Sequence, residues 1–397
     1  MQASTATANT GRIAALDLLR GVAILGTLAS NIWIFTDPRG PAGVLTNLPS
    51  TDSIPGVVET VLRFTANGKF LALLTILFGI GMELQYRSAL RHGRSWPGWY
   101  LWRTALLFVE GTLHYMLIFE FDVLMGYALV SFRVAYLLAR TERAIRAWMW
   151  TVGTVSVLVL LSLTAVLVTA PDSTTPTAGG TELYTEGSWL DQVGQRLLQA
   201  PVYRLELLLI VPSGIVLFLL GARLLRAGAF ENSRRGLLLR QRLMRIGLGV
   251  GVPCNLVVSF AGADWALVGR YLLPPVVAVG ILGLVTETTM RMRRQVGPVR
   301  RALSEVGRAA LSCYVLQNLL ASILCYGWGF GLADQLAGAR PWWVVGAWAG
   351  ICAILVLFCR WWLRYFSRGP VELAWHWAYT APQRARTADH ENRPVRS

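Results

Sequence analysis

Charged side chains are scarce in this sequence for its length. They make up 15% of 397 residues, whereas hydrophobic residues make up 54% and the mean hydropathy is +0.48. A soluble protein of this size carries about a quarter charged residues. Apolar runs of roughly 18 to 25 residues recur along the chain, and that length spans a bilayer. The sequence therefore predicts a polytopic membrane protein rather than a soluble globular one.

Lysine is nearly absent, since Lys69 stands alone among the basic residues and all the others are arginine. The net charge is +15, and the arginines lie mostly in short segments between apolar runs. Such placement sets the topology of a membrane protein. No basic groove interleaved with aromatic residues and no nucleic-acid module accompanies it. Nucleic acid is therefore not expected as a partner.

Cysteine and histidine are also rare, with five and four residues. The cysteines form no CxxC pair and no cluster with histidine, so neither a disulfide framework nor a zinc site is indicated. We expect them to be small buried apolar residues, and we expect no metal.

The apolar runs predict an all-α membrane bundle of ten transmembrane helices. Five connections are rich in arginine and alternate with five that are poor in it, which indicates that both termini are cytoplasmic. The predicted spans are 13–35, 57–84, 99–119, 122–139, 147–170, 204–225, 243–261, 265–288, 306–330 and 342–363.

The chain is predicted to form one transmembrane domain over residues 12–380. Residues 1–11 are a polar N-terminal segment, and the polar composition of 381–397 predicts a disordered cytoplasmic tail. The long outer loop 171–203 is rich in threonine, glycine and acidic residues. Within it, 188–200 is suited to a short amphipathic helix.

The first span, quoted as "LDLLRGVAILGTLASN", carries three polar groups on one face. Asp17 and Arg20 are three residues apart and can pair. Asn31 follows Arg20 by eleven residues, about three turns or roughly 16 Å, and returns to the same face. Polar groups inside a span commonly mark function, so we predict a polar stripe across the bilayer. An ion pair that only holds helices together is the alternative.

The third span and its following turn hold the strongest candidate for chemistry. Glu110 and His114 are spaced i, i+4 and stack on one face, with Arg103 eleven residues before the histidine. Asp122 opens the next span, and Tyr127 follows. A carboxylate beside a histidine fixes its tautomer and raises its basicity, as general-base catalysis requires. A structural histidine is the alternative.

Two predicted helix interruptions adjoin further polar residues. Asn67 and Gly68 precede Lys69 and could open the helix at a cavity, although a lysine snorkelling to the outer interface fits equally well. Arg270 precedes consecutive prolines at 274–275, which break or kink the helix. Gln317 and Asn318 in "LSCYVLQNLL" either line a polar cavity or hydrogen-bond one helix to another.

Six segments, in order, carry a resemblance to a known family: "RIAALDLLRGVAILGTLASN", "GKFLALLTILFGIGMELQYR", "LLFVEGTLHYMLIFEFDVLMGYAL", "IVLFLLGARLLRAG", "VGRAALSCYVLQNLL" and "SRGPVELAWHWAYT". Together they resemble the YeiB-like family of bacterial membrane proteins, labelled as a domain of unknown function (DUF418). The resemblance covers residues 12 to about 380. It implies a multi-pass protein of the bacterial cytoplasmic membrane.

The family is grouped with transmembrane acyltransferases, among them the lysosomal heparan-α-glucosaminide N-acetyltransferase. The resemblance implies transfer of an acyl group from cytoplasmic acetyl-CoA or another acyl-CoA to a hydroxyl or amine of a sugar-containing or other small acceptor. The heparan enzyme has an asparagine matching Asn31 and a histidine shortly after it. No histidine occurs in residues 32–56 of this chain. His114 is therefore the substitute base that the resemblance suggests.

These considerations give a set of predicted site residues. For acyl transfer the catalytic residues are His114, Asn31, Glu110 and Asp122, with Glu110 or Asp122 orienting the histidine. The remaining predictions are Arg20, Arg103, Asp17 and Lys69 for the acyl-CoA, and Tyr127, Arg270, Gln317 and Asn318 for the lining of the substrate site.

A transporter or flippase that uses the same polar stripe is the alternative function. The chain has no evident internal repeat and no clear pair of broken helices, which transporters commonly show. A structural or sensory protein would leave the buried histidine unexplained. The lipid bilayer is a partner in every case, and a homodimer remains open.

Overall fold

The structure, a computed structural model, describes residues 2–41, 43, 49, 52–169, 181–292 and 297–391. Over these ranges the chain consists of α-helices joined by short turns, and no strand occurs among the described residues. The predicted all-α class is confirmed.

Fifteen helices of eight or more residues organise the described part of the chain. The first half comprises α1 (Gln2–Phe35), α2 (Ile54–Ala66), α3 (Lys69–Arg91), α4 (Tyr100–Leu117), α5 (Leu124–Leu138), α6 (Glu142–Thr169) and α7 (Trp189–Leu198). The second half comprises α8 (Leu207–Arg226), α9 (Arg234–Ile246), α10 (Val252–Ser259), α11 (Pro274–Arg291), α12 (Pro298–Arg308), α13 (Ala310–Cys325), α14 (Trp342–Trp362) and α15 (Pro370–Glu391).

Among the described residues, six helical stretches are long and apolar enough to cross a bilayer. A seventh candidate is the pair α12 and α13, which is bent by 91°. α5 is a shorter apolar helix. The six are Ala14–Phe35, Ile54–Arg91, Glu142–Thr169, Ala200–Arg226, Ala263–Arg291 and Trp342–Trp362.

Helix α1 lies at the centre of the bundle, whereas α6 and α14 lie at its periphery. The apolar part of α1 is 61% buried, against 11% for α6 and 22% for α14. Glycines bring α12 against α1: a Cβ at Gly307 would meet the Asp17 carbonyl oxygen at 1.8 Å, and one at Gly21 would meet that of Leu303 at 1.9 Å. No side chain larger than hydrogen fits at either contact.

Both predicted helix interruptions are confirmed, and they contact each other. Gly68 separates α2 from α3 with φ +71°, a conformation that favours glycine. A π-helical turn, Val268–Leu272, precedes α11 at Pro274. A Cβ on Gly68 would lie 2.4 Å from the Arg270 carbonyl oxygen, so one break packs directly on the other.

The predicted amphipathic helix of the outer loop is confirmed as α7, whose N-terminus is capped by a Ser188–Asp191 capping box. The first part of that loop, 170–180, lies outside the described residues. At the chain ends, α1 begins at Gln2 and the backbone of α15 is helical to Glu391. The polar N-terminal segment and the disordered cytoplasmic tail stay predictions.

Candidate functional site

The polar stripe predicted on α1 is present and borders two cavities. Arg20 and Ile24 line the larger cavity, and Thr27 and Asn31 line the smaller one. These four positions follow one helix face at spacings of 0, 4, 7 and 11 residues. Asp17 pairs with Arg20, with 3.1 Å between the Arg20 Nη1 and Asp17 Oδ1 atoms.

The larger cavity, called here the arginine pocket, has a volume of about 580 Å³. Two predicted residues, Arg20 and Arg103, line it together with Arg308 and Arg368. Leucines from α3 and α4 line it as well, so a cationic rim adjoins apolar walls. Such a pocket is suited to an anion that carries a long and less polar arm.

Helix α15 supplies the remaining wall of the arginine pocket. The Arg103 guanidinium lies over the Trp375 ring at 4.8 Å, and its Nη1 donates to Gln85 Oε1 at 2.9 Å. Glu372, from the "GPVE" motif, accepts hydrogen bonds from the backbone N of Leu311 at 2.8 Å and from the Ser312 hydroxyl. Its carboxylate therefore caps the N-terminus of α13, which stabilises that helix.

A buried chain of hydrogen bonds connects α1, α13, α4 and the start of α5. His114 Nδ1 lies 2.9 Å from Asp122 Oδ1, and His114 Nε2 lies 3.3 Å from Asn318 Nδ2. Asn318 Oδ1 accepts from Asn31 Nδ2 at 3.2 Å. His114 is 3% exposed and Asp122 2%. Because the Asn318 amide donates a hydrogen bond to Nε2, the ring proton lies on Nδ1. Nδ1 therefore donates a hydrogen bond to the Asp122 carboxylate.

Asp122 is held in place by two further donors. The backbone N of Met125 donates to Oδ2 at 3.2 Å, as expected for an acidic residue just before a helix. The Tyr314 hydroxyl donates to Oδ1 at 3.4 Å, and the Tyr314 ring packs on the His114 ring with 5.1 Å between centroids. The carboxylate is thus fixed on the histidine side.

Glu110 lies one helical turn before His114, as predicted, but it does not orient the imidazole. Both ring nitrogens are engaged by Asp122 and Asn318. Both carboxylate oxygens of Glu110 are buried and have no hydrogen-bond partner among the described residues. Of the two carboxylates that the sequence offered, Asp122 is the partner of the histidine.

The smaller cavity, called here the Asn31 cavity, has a volume of about 30 Å³, enough for one or two water-sized groups. Arg270 lines it as predicted, beside Glu206 and Tyr271. Arg270 Nη1 donates to Asn67 Oδ1 at 3.3 Å, and the Tyr271 hydroxyl donates to Glu206. Polar groups from both helix interruptions therefore meet at this cavity.

Eight of the twelve predicted site residues line neither cavity: Asp17, Lys69, Glu110, His114, Asp122, Tyr127, Gln317 and Asn318. Among them, Lys69, Tyr127 and Gln317 also lie outside the hydrogen-bonded chain. Lys69 donates to the Phe64 carbonyl, and its ammonium lies 4.1 Å from the centroid of the Phe64 ring. Lys69 directly follows Gly68, which lines the Asn31 cavity, and it is five residues, about 7.5 Å of helix, from Leu74 in the wall of the arginine pocket, but it lines neither cavity. Tyr127 is in the packed core, where its hydroxyl lies 2.6 Å from Thr75 Oγ1. Gln317 is fully buried, and its amide has no hydrogen-bond partner among the described residues.

Sequence reasoning missed a buried ion pair between α7 and the turn before α5. Arg196 Nε lies 2.7 Å from Glu120 Oε1, and both side chains are at most 1% exposed. The Tyr184 hydroxyl donates to the same oxygen at 3.0 Å, and burial together with the Glu120 charge raises the pKa of Tyr184. The pair attaches α7 to the turn that carries Asp122. The two residues are 76 positions apart, so no local spacing announces the contact.

No group of three or more His, Cys, Asp or Glu side chains suited to a metal ion occurs within the described ranges.

Comparison with known proteins relates nearly the whole chain to bacterial proteins. The uncharacterized protein YxaH of Bacillus subtilis is 27% identical over 391 residues, which cover 92% of this chain and 93% of YxaH. The uncharacterized protein YeiB of Escherichia coli is 29% identical, over 91% of this chain and 94% of YeiB. No solved structure matches the chain significantly. Residues 224–381 match the family described as protein of unknown function (DUF418), and the similarity to YxaH and YeiB extends over more than nine tenths of the chain.

Proposed function

We propose that this protein is an acyl-CoA-dependent acyltransferase of the bacterial cytoplasmic membrane. The observation that supports it best is the position of the His114–Asp122 pair. It lies beside Tyr314, which lines both the arginine pocket and the Asn31 cavity. A base held between two cavities suits the joining of two substrates that arrive from opposite sides.

The arginine pocket is the proposed site of the acyl donor. Acyl-CoA carries phosphates at one end and a thioester at the end of a long arm. Arg20 and Arg103, with Arg308 and Arg368, would bind the phosphates as charge-assisted partners. The arm would lie against the leucine-lined wall, with the thioester directed toward Tyr314.

The acceptor hydroxyl or amine of a sugar-containing or other small molecule is assigned to the Asn31 cavity. Its narrow volume admits one end group, and Glu206 and Arg270 offer an acceptor and a donor to neighbouring hydroxyls. His114 Nε2, freed from Asn318 as the acceptor enters, would take the acceptor proton while Asp122 stabilises the imidazolium.

The reaction balances with these groups alone. The acceptor oxygen or nitrogen forms a bond to the acyl carbon as the carbon–sulfur bond breaks, and the histidine proton passes to the departing thiolate. Free CoA and the acylated acceptor result. The amides of Asn31 and Asn318, which are hydrogen-bonded to each other, would donate to the oxyanion that forms on the acyl carbonyl.

The proposal includes the topology of ten spans with both termini cytoplasmic. It adds α4, α5 and the continuous α9–α10 stretch to the candidate spans that length and apolarity identify. The arginine pocket then opens to the cytoplasm, where acyl-CoA is made, in keeping with the bias of arginine toward that side.

A transporter or flippase is the second candidate, and one observation favours it. The two helix interruptions pack on each other beside the Asn31 cavity, as the broken helices of transporters do around a substrate. The buried His114–Asp122 pair would then bind a passing solute or proton.

Turnover of purified protein separates the two. The full chain in detergent is incubated with acetyl-CoA, and free CoA is measured with and without a crude acceptor extract. We expect CoA release that is lost in His114→Ala and kept in His92→Ala, a control at an exposed histidine. Solute uptake in proteoliposomes without turnover of any acyl-CoA would overturn the proposal.

A further inference from the structure

The two cavities are stacked along the same elements. Among the described lining residues, only Tyr314 belongs to both. The other shared walls come from the same helices, on which nearby residues line one cavity or the other. These are Ile24 and Thr27 on α1, Leu74 and Leu71 on α3, and Leu124 and Val123 at the start of α5.

The cavities are therefore separated by about one helical turn, or roughly 4.5 Å along α1. Because Tyr314 lines both cavities, it lies at the boundary between them. It is 2% exposed, its ring packs on His114, and its hydroxyl donates to Asp122. A phenol ring is several times larger than the ~30 Å³ that a water molecule takes up in the liquid.

We infer that Tyr314 is a partition between the two cavities. It keeps water in the Asn31 cavity away from the thioester until an acceptor displaces that water. Tyr314 is thus a positioning residue that decides between transfer and hydrolysis. The inference rests on the proposed acyltransferase function. Without the partition, water adds to the acyl carbon as the carbon–sulfur bond breaks, and the products are a carboxylic acid and free CoA.

The two parts of the side chain have separate effects. The ring separates the cavities, and the hydroxyl orients Asp122. Tyr314→Phe keeps the ring and removes one neutral hydrogen bond. The rate of acyl transfer should therefore fall by about threefold to tenfold, while the hydrolysis of acetyl-CoA stays low. Tyr314→Ala joins the cavities, so hydrolysis of acetyl-CoA without acceptor rises by about tenfold or more.

The experiment measures free CoA and acetate from acetyl-CoA with no acceptor, using the purified full-length protein. His114→Ala in the Tyr314→Ala background should abolish the new hydrolysis, since water also needs the base. Tyr326→Leu is the matched control: this tyrosine is equally buried just after the same helix and lines neither cavity. It should leave hydrolysis at the wild-type level.

Tyr314→Leu supplies a second variant if the alanine variant does not fold, because leucine fills part of the ring volume and should give an intermediate rise. Unchanged hydrolysis in a folded Tyr314→Ala or Tyr314→Leu variant, while the wild type transfers acyl groups, overturns the partition and leaves the acyltransferase standing. Failure of wild type and every variant to release CoA overturns both.

Discussion

The side-chain amides of Asn31 and Asn318 are joined by a hydrogen bond of 3.2 Å, although 287 residues separate them in sequence. This bond connects α1 to α13, and the Asn318 amide makes a second hydrogen bond to His114 Nε2. The amide of α1 thereby influences a ring nitrogen on α4 without touching it. Three of the predicted site residues thus form one unit.

Replacement of Asn31 tests whether this unit is chemical or only structural. Asn31→Ala removes a donor to the proposed oxyanion and frees Asn318, so we expect kcat for acetyl-CoA turnover to fall by about 10²- to 10³-fold. Thr27→Val, which alters the same cavity wall, should cost far less. Thermal unfolding in detergent should change little, and loss of folded Asn31→Ala protein would instead indicate a structural role.

The choice between the two candidate carboxylates can be tested by isosteric amides. Asp122→Asn keeps the shape but reverses the hydrogen bond at His114 Nδ1, so kcat should fall by about 10²- to 10⁴-fold. Glu110→Gln should reduce kcat by less than about tenfold, because Glu110 makes no hydrogen bond to the ring. A larger loss in Glu110→Gln than in Asp122→Asn would contradict the geometry.

Truncation of the donor tests the arginine pocket. Arg103→Gln should raise the KM for acetyl-CoA by about 10- to 100-fold, because a charge-assisted contact to phosphate is lost. The KM for acetyl-pantetheine, which lacks the nucleotide, should be unaffected. Arg223→Gln removes an arginine that lies outside the pocket and serves as control. An equal change in the KM for acetyl-CoA and for acetyl-pantetheine would mean that Arg103 does not bind the phosphates.

The buried ion pair of Arg196 and Glu120 should show strong coupling in a double-mutant cycle. Arg196→Met alone leaves the Glu120 carboxylate buried without its cation, at a cost of about 3–5 kcal/mol. The double variant Arg196→Met with Glu120→Leu should cost less than the sum of the single changes. Thermal unfolding gives the energies, and hydrogen exchange of α7 reports its detachment. Additive effects would exclude the coupling.

The sequence by itself determined the all-α class with long apolar helices, the interruptions at Gly68 and Pro274, helix α7 and the face of α1 that holds Arg20 and Asn31. These features depend on residues within a few turns of one another, where composition and the 3.6-residue period are decisive. Spacing also singled out His114 as the buried histidine.

Only the tertiary structure decided which groups meet. The selection of Asp122 over Glu110, the amide chain through Asn318, the exclusion of Lys69 and Tyr127 from the cavities, and the position of Tyr314 between them all depend on how separate helices pack. Helix periodicity fixes the direction of a side chain on its own helix. Its partner is fixed by close contacts such as those of Gly21 and Gly307 between α1 and α12, and no local pattern encodes them.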